Sequence, residues 1–362
     1  MNLRLRRWAQ AASRRWESLP IAPREGTKLG FSFRLPQAEL MGLDPNAALA
    51  TLLGLGFDVV RLAGLWNRME PTPAAFDFSS LDWQVEAAAK AGLEVILAVG
   101  PVKNLGYPEF YVPGHRLPEP LPEGTLVTAA SRPHLCEAAL VVLERLVERY
   151  RGVAAIKAWQ VEHEAVDPLG LEHSWRLAAS WVEREVELVR RLDPSRPILL
   201  NGFLPLSRPV ELQQGWRTRD QGDSLALALI LADIVGLDVY PCHAVASARG
   251  LSLYLDASES TARRRVEHVL RAARGRGRRV IVSEGQAEPW EAVTNPPNPQ
   301  GRVPASCPPD RLIQTHNQCV RSASDAGATV DAYLFWGAEY WLLREMCGDS
   351  SYLGAVDRVL HR

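Results

Sequence analysis

Two stretches of the sequence end an apolar, strand-forming run on a carboxylate. Residues 155–164 read AIKAWQVEHE, where Ile156, Ala158, Trp159 and Val161 lead into Glu162-His163-Glu164. Residues 279–290 read RVIVSEGQAEPW, where Val280, Ile281 and Val282 run straight into Glu284. A buried, unpaired carboxylate costs on the order of several kcal/mol, so such strand tips must reach water, a cation or a ligand. Two strands that each deliver a glutamate from the C-terminal end supply what cleavage of a glycosidic bond needs. One carboxyl protonates the leaving oxygen, and the other attacks carbon or activates water. The acid needs a raised pKa; the partner must stay ionised. Arg61, set between apolar neighbours in FDVVRLA, and Tyr240, closing IVGLDVYP, are placed to hold Glu284 ionised by hydrogen bonds. Trp336 in LFWG is a candidate floor for a sugar ring, and Trp66 and Asn201 stand at other strand ends.

Positioning these residues together requires their strands to be neighbours pointing the same way. Strand-type runs occur at 28–34, 57–63, 93–100, 156–161, 197–201, 234–241, 279–284 and 330–337. Helical patterns separate them, at 45–53 behind the N-cap Asp44, then 80–92, 131–150, 172–192, 224–232, 258–273, 310–326 and 352–360. Strict alternation of strand and helix implies a parallel sheet, and eight units imply a closed (β/α)₈ barrel. The expected organisation is a basic leader segment, 1–27, then one barrel domain, 28–362. Residues 203–223 show no clear periodicity. Long Pro-rich, aromatic loops at 101–132 and 288–309 follow strands three and seven, and segments of that length are usually functional. In such a barrel the site lies at the C-terminal ends of the strands, which collects Arg61, Trp66, His163, Glu164, Asn201, Tyr240, Glu284 and Trp336 at one mouth. Residues two apart on a strand share a face, so Glu162 is expected below Glu164, accepting a hydrogen bond from Arg61 or His163. Glu288, Trp290 and Glu291 follow strand seven and are expected near substrate by loop position alone.

Bulk properties exclude several classes. A formal net charge of −1 over 362 residues gives no electrostatic drive towards nucleic acid or membrane surfaces. No run approaches the ~18 apolar residues of a membrane span, and the N-terminus lacks a signal-type apolar core, so the expected location is the cytoplasm. Five cysteines without a CxxC pair argue against a zinc site and a complete disulfide framework. The histidines at 115, 134, 173, 268 and 316 are scattered, and GRGR at 275–278 is not followed by a helix start that would cradle phosphate. Neither cofactor nor metal is expected. The oligomeric state stays open.

Taken together, these residues resemble the clan A glycoside hydrolases, a superfamily of (β/α)₈ retaining glycosidases with glutamates on strands four and seven. The likeness spans about residues 28–348. It implies Glu164 as acid/base, Glu284 as nucleophile, and Arg61, Tyr240 and Trp336 as the arginine, tyrosine and tryptophan of strands two, six and eight. It implies an oligosaccharide or polysaccharide substrate, β-linked by expectation. The chain departs from the pattern at His163, where the clan has an asparagine associated with the sugar 2-hydroxyl. An imidazolium there is expected to influence the proton on Glu164 and so the acid limb of activity. Two other readings use the same residues: a carbohydrate-binding barrel without turnover, motivated by His163, and a transglycosylase, in which a sugar rather than water accepts the glycosyl group.

Overall fold

The computed structural model describes residues 14–361 apart from 25, 107–108, 118, 123, 168–174, 219, 249–250 and 291–305, with the backbone alone for 243–254. Most of the expected leader segment and residue 291 therefore lie outside the described residues. Eight parallel strands close into a barrel: β1 (Lys28–Ser32), β2 (Val59–Ala63), β3 (Glu94–Ala98), β4 (Ile156–Gln160), β5 (Ile198–Phe203), β6 (Ile234–Val239), β7 (Arg279–Gln286) and β8 (Ala332–Trp336). Each strand pairs with its sequence neighbours, and β1 closes the ring on β8 with Lys28 opposite Ala332. Each is followed by a helix of the outer layer: α1 (Pro45–Leu53), α2 (Ser79–Lys90), α3 (Pro133–Tyr150), α4 (Ala179–Leu192), α5 (Ser224–Leu231), α6 (Glu259–Arg274), α7 (Pro309–Asp325) and α8 (Ser351–Leu360). Among the described residues no helix is long and apolar enough to cross a membrane.

The helices begin where the side chains can satisfy the open N–H groups. Asp44 accepts from the N–H groups of Asn46 and Ala47 at the start of α1, Asp223 caps α5 and Ser258 caps α6. Alternation along the strands sorts the apolar residues into two layers. Val59, Ile96, Ala158, Leu199, Ile234, Ile281, Ala332 and Leu334 fill the barrel interior, while the opposite faces pack with the helices into the main core. A third cluster, including Tyr111, Tyr240 and Trp336, closes the C-terminal mouth with aromatic rings.

Several elements differ from the sequence expectation. α4 starts at Ala179 rather than 172. The aperiodic stretch after β5 contains a helix, Arg208–Arg217, and β6 is followed by an antiparallel hairpin, Cys242–Ala248 with Leu251–Asp256. Short helices follow β1 (Leu35–Leu40), β2 (Trp66–Met69) and β8 (Ala338–Met346).

One glycine is needed for the strands to approach at the mouth. A Cβ on Gly236 of β6 would lie 2.5 Å from Ser283 Oγ and 2.8 Å from Asn201 Cβ. Gly236→Ala should therefore lower the unfolding free energy by about 1–3 kcal/mol through overpacking. Urea denaturation checks this, and a change inside ±0.5 kcal/mol, the usual range for surface substitutions, would mean that β5, β6 and β7 are less tightly registered.

Candidate active site

The C-terminal ends of β2, β4, β5, β6, β7 and β8 bring Arg61, His163, Glu164, Asn201, Tyr240, Glu284 and Trp336 together. Three departures from regular backbone aim them. In β7 the register against β6 slips between Val282 and Glu284, so Ser283 is an extra residue and Glu284 turns into the mouth. Arg61 fastens this bulge, donating from Nη1 to the Ser283 carbonyl at 2.8 Å and from Nη2 to Glu284 Oε1 at 2.8 Å. After β4, both Glu162 and Glu164 adopt left-handed φ, 56° and 40°. Such conformations cost roughly 1–3 kcal/mol each in a non-glycine residue and persist only where the surroundings impose them.

That turn overrides strand alternation, so Glu162 does not lie below Glu164. Its carboxyl points away from the mouth, accepts from the N–H groups of Val102 (3.1 Å) and Lys103, and meets Glu185 of α4. Neither Arg61 nor His163 reaches it. Trp66 also leaves the predicted set. It begins a short helix, its ring is fully buried in the core, and its Nε1 donates to Glu70 at 2.7 Å, so it presents no face to a sugar. Glu288 is engaged as well: with Glu339 it clamps the buried Arg34, whose guanidinium lies 4.4 Å over the Trp336 ring. Trp290 donates to the Cys242 carbonyl at 2.6 Å and packs on Tyr240.

Glu284 is the focus of donors. Besides Arg61, Tyr240 donates its hydroxyl to Oε2 at 2.5 Å, and His163 Nε2 lies 3.3 Å from Oε1. The tautomer of His163 follows from its other side. Asn201 Nδ2 stands 2.8 Å from His163 Nδ1 and donates its second hydrogen to Asp238 Oδ2 at 2.6 Å. Asn201 Oδ1 accepts from Gln160 Nε2 and the Glu164 N–H, which fixes the amide. An amide N–H facing Nδ1 requires a lone pair there, so the proton sits on Nε2 and points at Glu284. Burial, then Arg61 and Lys103, hold the His163 pKa well below its usual value. His163 is thus a neutral donor, and the expected imidazolium beside Glu164 does not form.

Two further carboxyls enter that the sequence reading passed over. Asp238 of β6 accepts from Ser283 Oγ at 2.7 Å, and its charge opposes that of Glu164. Burial, and after it the neighbouring carboxylates, raises both well above the carboxylate range. Glu109, from the loop after β3, places Oε1 3.6 Å from His163 Nε2. Burial and the charge of Glu284 push it up to about 8 against the pull of Lys103. Glu284 itself is pushed up to about 8 by burial and Asp238, with Arg61 and Tyr240 opposing. Ionisation of Glu284 therefore depends on protons resting on its neighbours, more than the sequence suggested. Lys103, buried, braces the Glu164 turn by donating to the carbonyls of Glu164 (2.7 Å) and Asp167 (2.9 Å). Asp238 carried the same signal as Arg61, a charge inside an apolar strand. Glu109 and Lys103 had only their place in a long loop.

His163, Asp238 and Glu284 offer ligand atoms that all lie within 4.8 Å of one another, a metal-sized group that the sequence did not suggest. Its atoms are committed elsewhere: Nε2 carries a proton, and Arg61, Tyr240, Asn201 and Ser283 donate to the carboxylates. The donor set as folded suits an anionic carboxylate in a ring of hydrogen bonds, not a cation.

The neutral histidine is directly observable. In ¹⁵N spectra of ¹⁵N-histidine-labelled protein, His163 should show a protonated Nε2 and a bare Nδ1, unchanged from about pH 8 down to 5.5. A titration near its usual ~6.5 would contradict this assignment. Because the folded pKa is depressed, the unfolded chain takes up a proton that the site refuses below about pH 6.5. This group's contribution therefore lowers stability as pH falls through that value.

Residues 48–193 match the model of glycoside hydrolase family 42, described as β-galactosidase; the match runs from α1 to the end of α4 and includes Arg61 and Glu164. A search of curated proteins finds no match. Among solved structures, the chain is similar to xylanase 10B from Thermotoga maritima, with TM-score 0.55 and 15% identity, over 94% of this chain and 98% of the xylanase. It is similar to the exo-β-1,4-mannosidase Op5Man5 from Opitutaceae bacterium strain TAV5, with TM-score 0.54 and 18% identity, over 86% of this chain and 52% of the mannosidase. It is also similar to a β-galactosidase from Halorubrum lacusprofundi, with TM-score 0.51 and 17% identity, over 85% and 52%. The chain thus spans about half the length of the mannosidase and of the galactosidase, and at these identities the shared feature is the barrel. The closed parallel barrel is the (β/α)₈ fold shared with these glycosidases, and the family match over residues 48–193 supports a glycoside hydrolase.

Proposed function

We propose that the protein hydrolyses a β-linked glycoside by a retaining double displacement, with Glu284 as nucleophile and Glu164 as acid/base. The observation that carries this reading is the asymmetry of the two glutamates. Glu284 is ringed by Arg61, Tyr240 and the His163 Nε2–H, all of which stabilise its anion, whereas Glu164 has no such cation or hydroxyl donor on its carboxyl among the described residues, and burial with the charges of Glu109 and Glu284 raises its pKa. In the first step Glu284 attacks the anomeric carbon while Glu164 gives its proton to the departing oxygen, leaving a glycosyl ester on Glu284 and a carboxylate on Glu164. In the second, Glu164 takes a proton from water as that water attacks the anomeric carbon, which restores both groups. As the ester forms, Glu284 loses its charge, and the His163 N–H is released to a sugar hydroxyl. Trp336, backed by Arg34, serves as the wall against which the ring rests. The solved structures described as xylanase, mannosidase and galactosidase support a β-linked substrate without selecting the sugar.

The roles separate kinetically. Glu164→Ala should lower turnover of a glycoside with a poor leaving group by about 10²–10⁴-fold and spare the first step of an activated aryl glycoside. Glu284→Ala should disable every substrate. Azide should then yield the β-glycosyl azide from the Glu164 variant and the α-glycosyl azide from the Glu284 variant. Equal leaving-group dependence in both variants, with no azide product, would remove these assignments.

A further inference from the structure

Glu109 is not used by the two-glutamate reaction, yet it is buried at the reacting centre. Asn104 ties Glu109 to the ends of two strands. Asn104, itself buried, donates from its amide to the carbonyls of Gly64 and Gly100 at 2.9 Å, and its backbone N–H bonds the Glu109 carbonyl at 2.9 Å. The carboxyl is thereby fixed between two positive or donating groups without fully engaging either. Oε1 lies 3.6 Å from His163 Nε2, whose proton is directed at Glu284, and Oε2 lies 3.5 Å from Lys103 Nζ and accepts no hydrogen bond. A buried carboxyl oxygen without a donor is costly, and the hydroxyl of a ligand held beside Glu284 would supply one.

We infer that Glu109 is a substrate-binding residue that accepts a hydrogen bond from one ring hydroxyl of the sugar held against Glu284, and so contributes to the choice of sugar. This rests on the glycosidase reading for the identity of the ligand. The ligand class is a neutral pyranoside bearing that hydroxyl. His163 Nε2–H and Glu109 Oε1 present a donor and an acceptor side by side, a pairing that suits a hydroxyl, which both donates and accepts. The Trp336 ring has the His163 ring 6.2 Å away and the Arg34 guanidinium at 4.4 Å, and neither contact involves Glu109.

The test compares wild type, Glu109→Ala and Glu109→Gln on the aryl β-glycoside that wild type turns over, chosen from gluco-, manno-, galacto- and xylosides, and on its monodeoxy analogues. Thermal melts confirm that each variant is folded. Loss of a hydrogen bond to an uncharged carboxyl corresponds to roughly 2- to 12-fold in kcat/KM, so Glu109→Ala should lose that much on the parent sugar. One deoxy analogue should cost wild type a similar factor and cost Glu109→Ala nothing further, the non-additivity of a shared contact. Glu109→Gln, which keeps an acceptor, should retain part of the preference. If every deoxy analogue costs both proteins equally, Glu109 acts only through Lys103 and the Glu164 turn, and the inference is overturned. In parallel, calorimetric titration with the matching set of iminosugars reads binding without turnover. Wild-type binding that weakens in Glu109→Ala, with no hydrolysis of any glycoside, would sink the hydrolase reading alone. Turnover or binding indifferent to Glu109 would sink this inference alone, and a wild type that neither binds nor hydrolyses would sink both.

Discussion

The bond between Arg61 and Glu284 anchors the chemistry of the barrel mouth, because it places a buried charge where the surrounding carboxyls must answer to it. Four of them, Glu109, Glu164, Asp238 and Glu284, converge at the strand ends, against the guanidinium of Arg61 and the ammonium of Lys103. Four buried anions opposite two cations would be prohibitive in a low-dielectric site, so the carboxyls must retain protons among themselves. Glu284 collects the strongest set of donors and is the natural seat of negative charge. Burial raises Glu164, Asp238 and Glu109, which favours protons there. One ionised and one protonated glutamate, the distribution that the proposed retaining mechanism needs, is favoured by how few donors the fold provides and where it directs them.

The backbone creates this distribution by breaking regularity in a few places. A regular β7 would not turn Glu284 to Arg61 and Tyr240 together; the extra residue at Ser283 does, and Arg61 binds the carbonyl of that residue. The two left-handed residues after β4 separate three adjacent ionisable side chains. Glu162 goes to the helix layer, while His163 and Glu164 go to the mouth. Glu162 helps to hold the turn that exiles it, since its carboxyl accepts the N–H groups of Val102 and Lys103, and Lys103 in turn ties the carbonyls of Glu164 and Asp167. A Cβ on Gly100 would collide with the Glu162 backbone at 2.1 Å, so that approach also requires a glycine. The Asp238–Asn201–His163 chain then sets a histidine tautomer, turning an unusual residue into a neutral donor.

Much of the fold was legible in the sequence because it follows from period and order. Eight apolar runs alternating with eight helical patterns leave few alternatives to a closed parallel barrel, and residues at the run ends fall at its C-terminal mouth. Arg61, Glu164, Tyr240 and Glu284 were legible for the same reason, as polar residues where a strand should be apolar or should stop. What failed depended on three-dimensional detail that alternation does not encode. The left-handed turn reversed the expected side for Glu162. Trp66 entered a short helix and turned into the core. The charge of His163 depended on Asn201, from another strand, and on burial. Glu109 and Lys103 belong to a loop whose path is decided by Asn104 bonding carbonyls from two strands, a tertiary fact with no local signature.

The central claim is that Glu284 carries the negative charge that attacks the sugar, while the neighbouring carboxyls hold the protons. Trapping the glycosyl-enzyme tests it most directly. The protein would be incubated with a 2-deoxy-2-fluoro glycosyl fluoride of the sugar that it hydrolyses, digested and mapped by mass spectrometry. The account predicts one label per chain, time-dependent loss of activity, and the label on the peptide carrying Glu284. A label on Glu164 or Glu109, or inactivation with no covalent adduct, would contradict it.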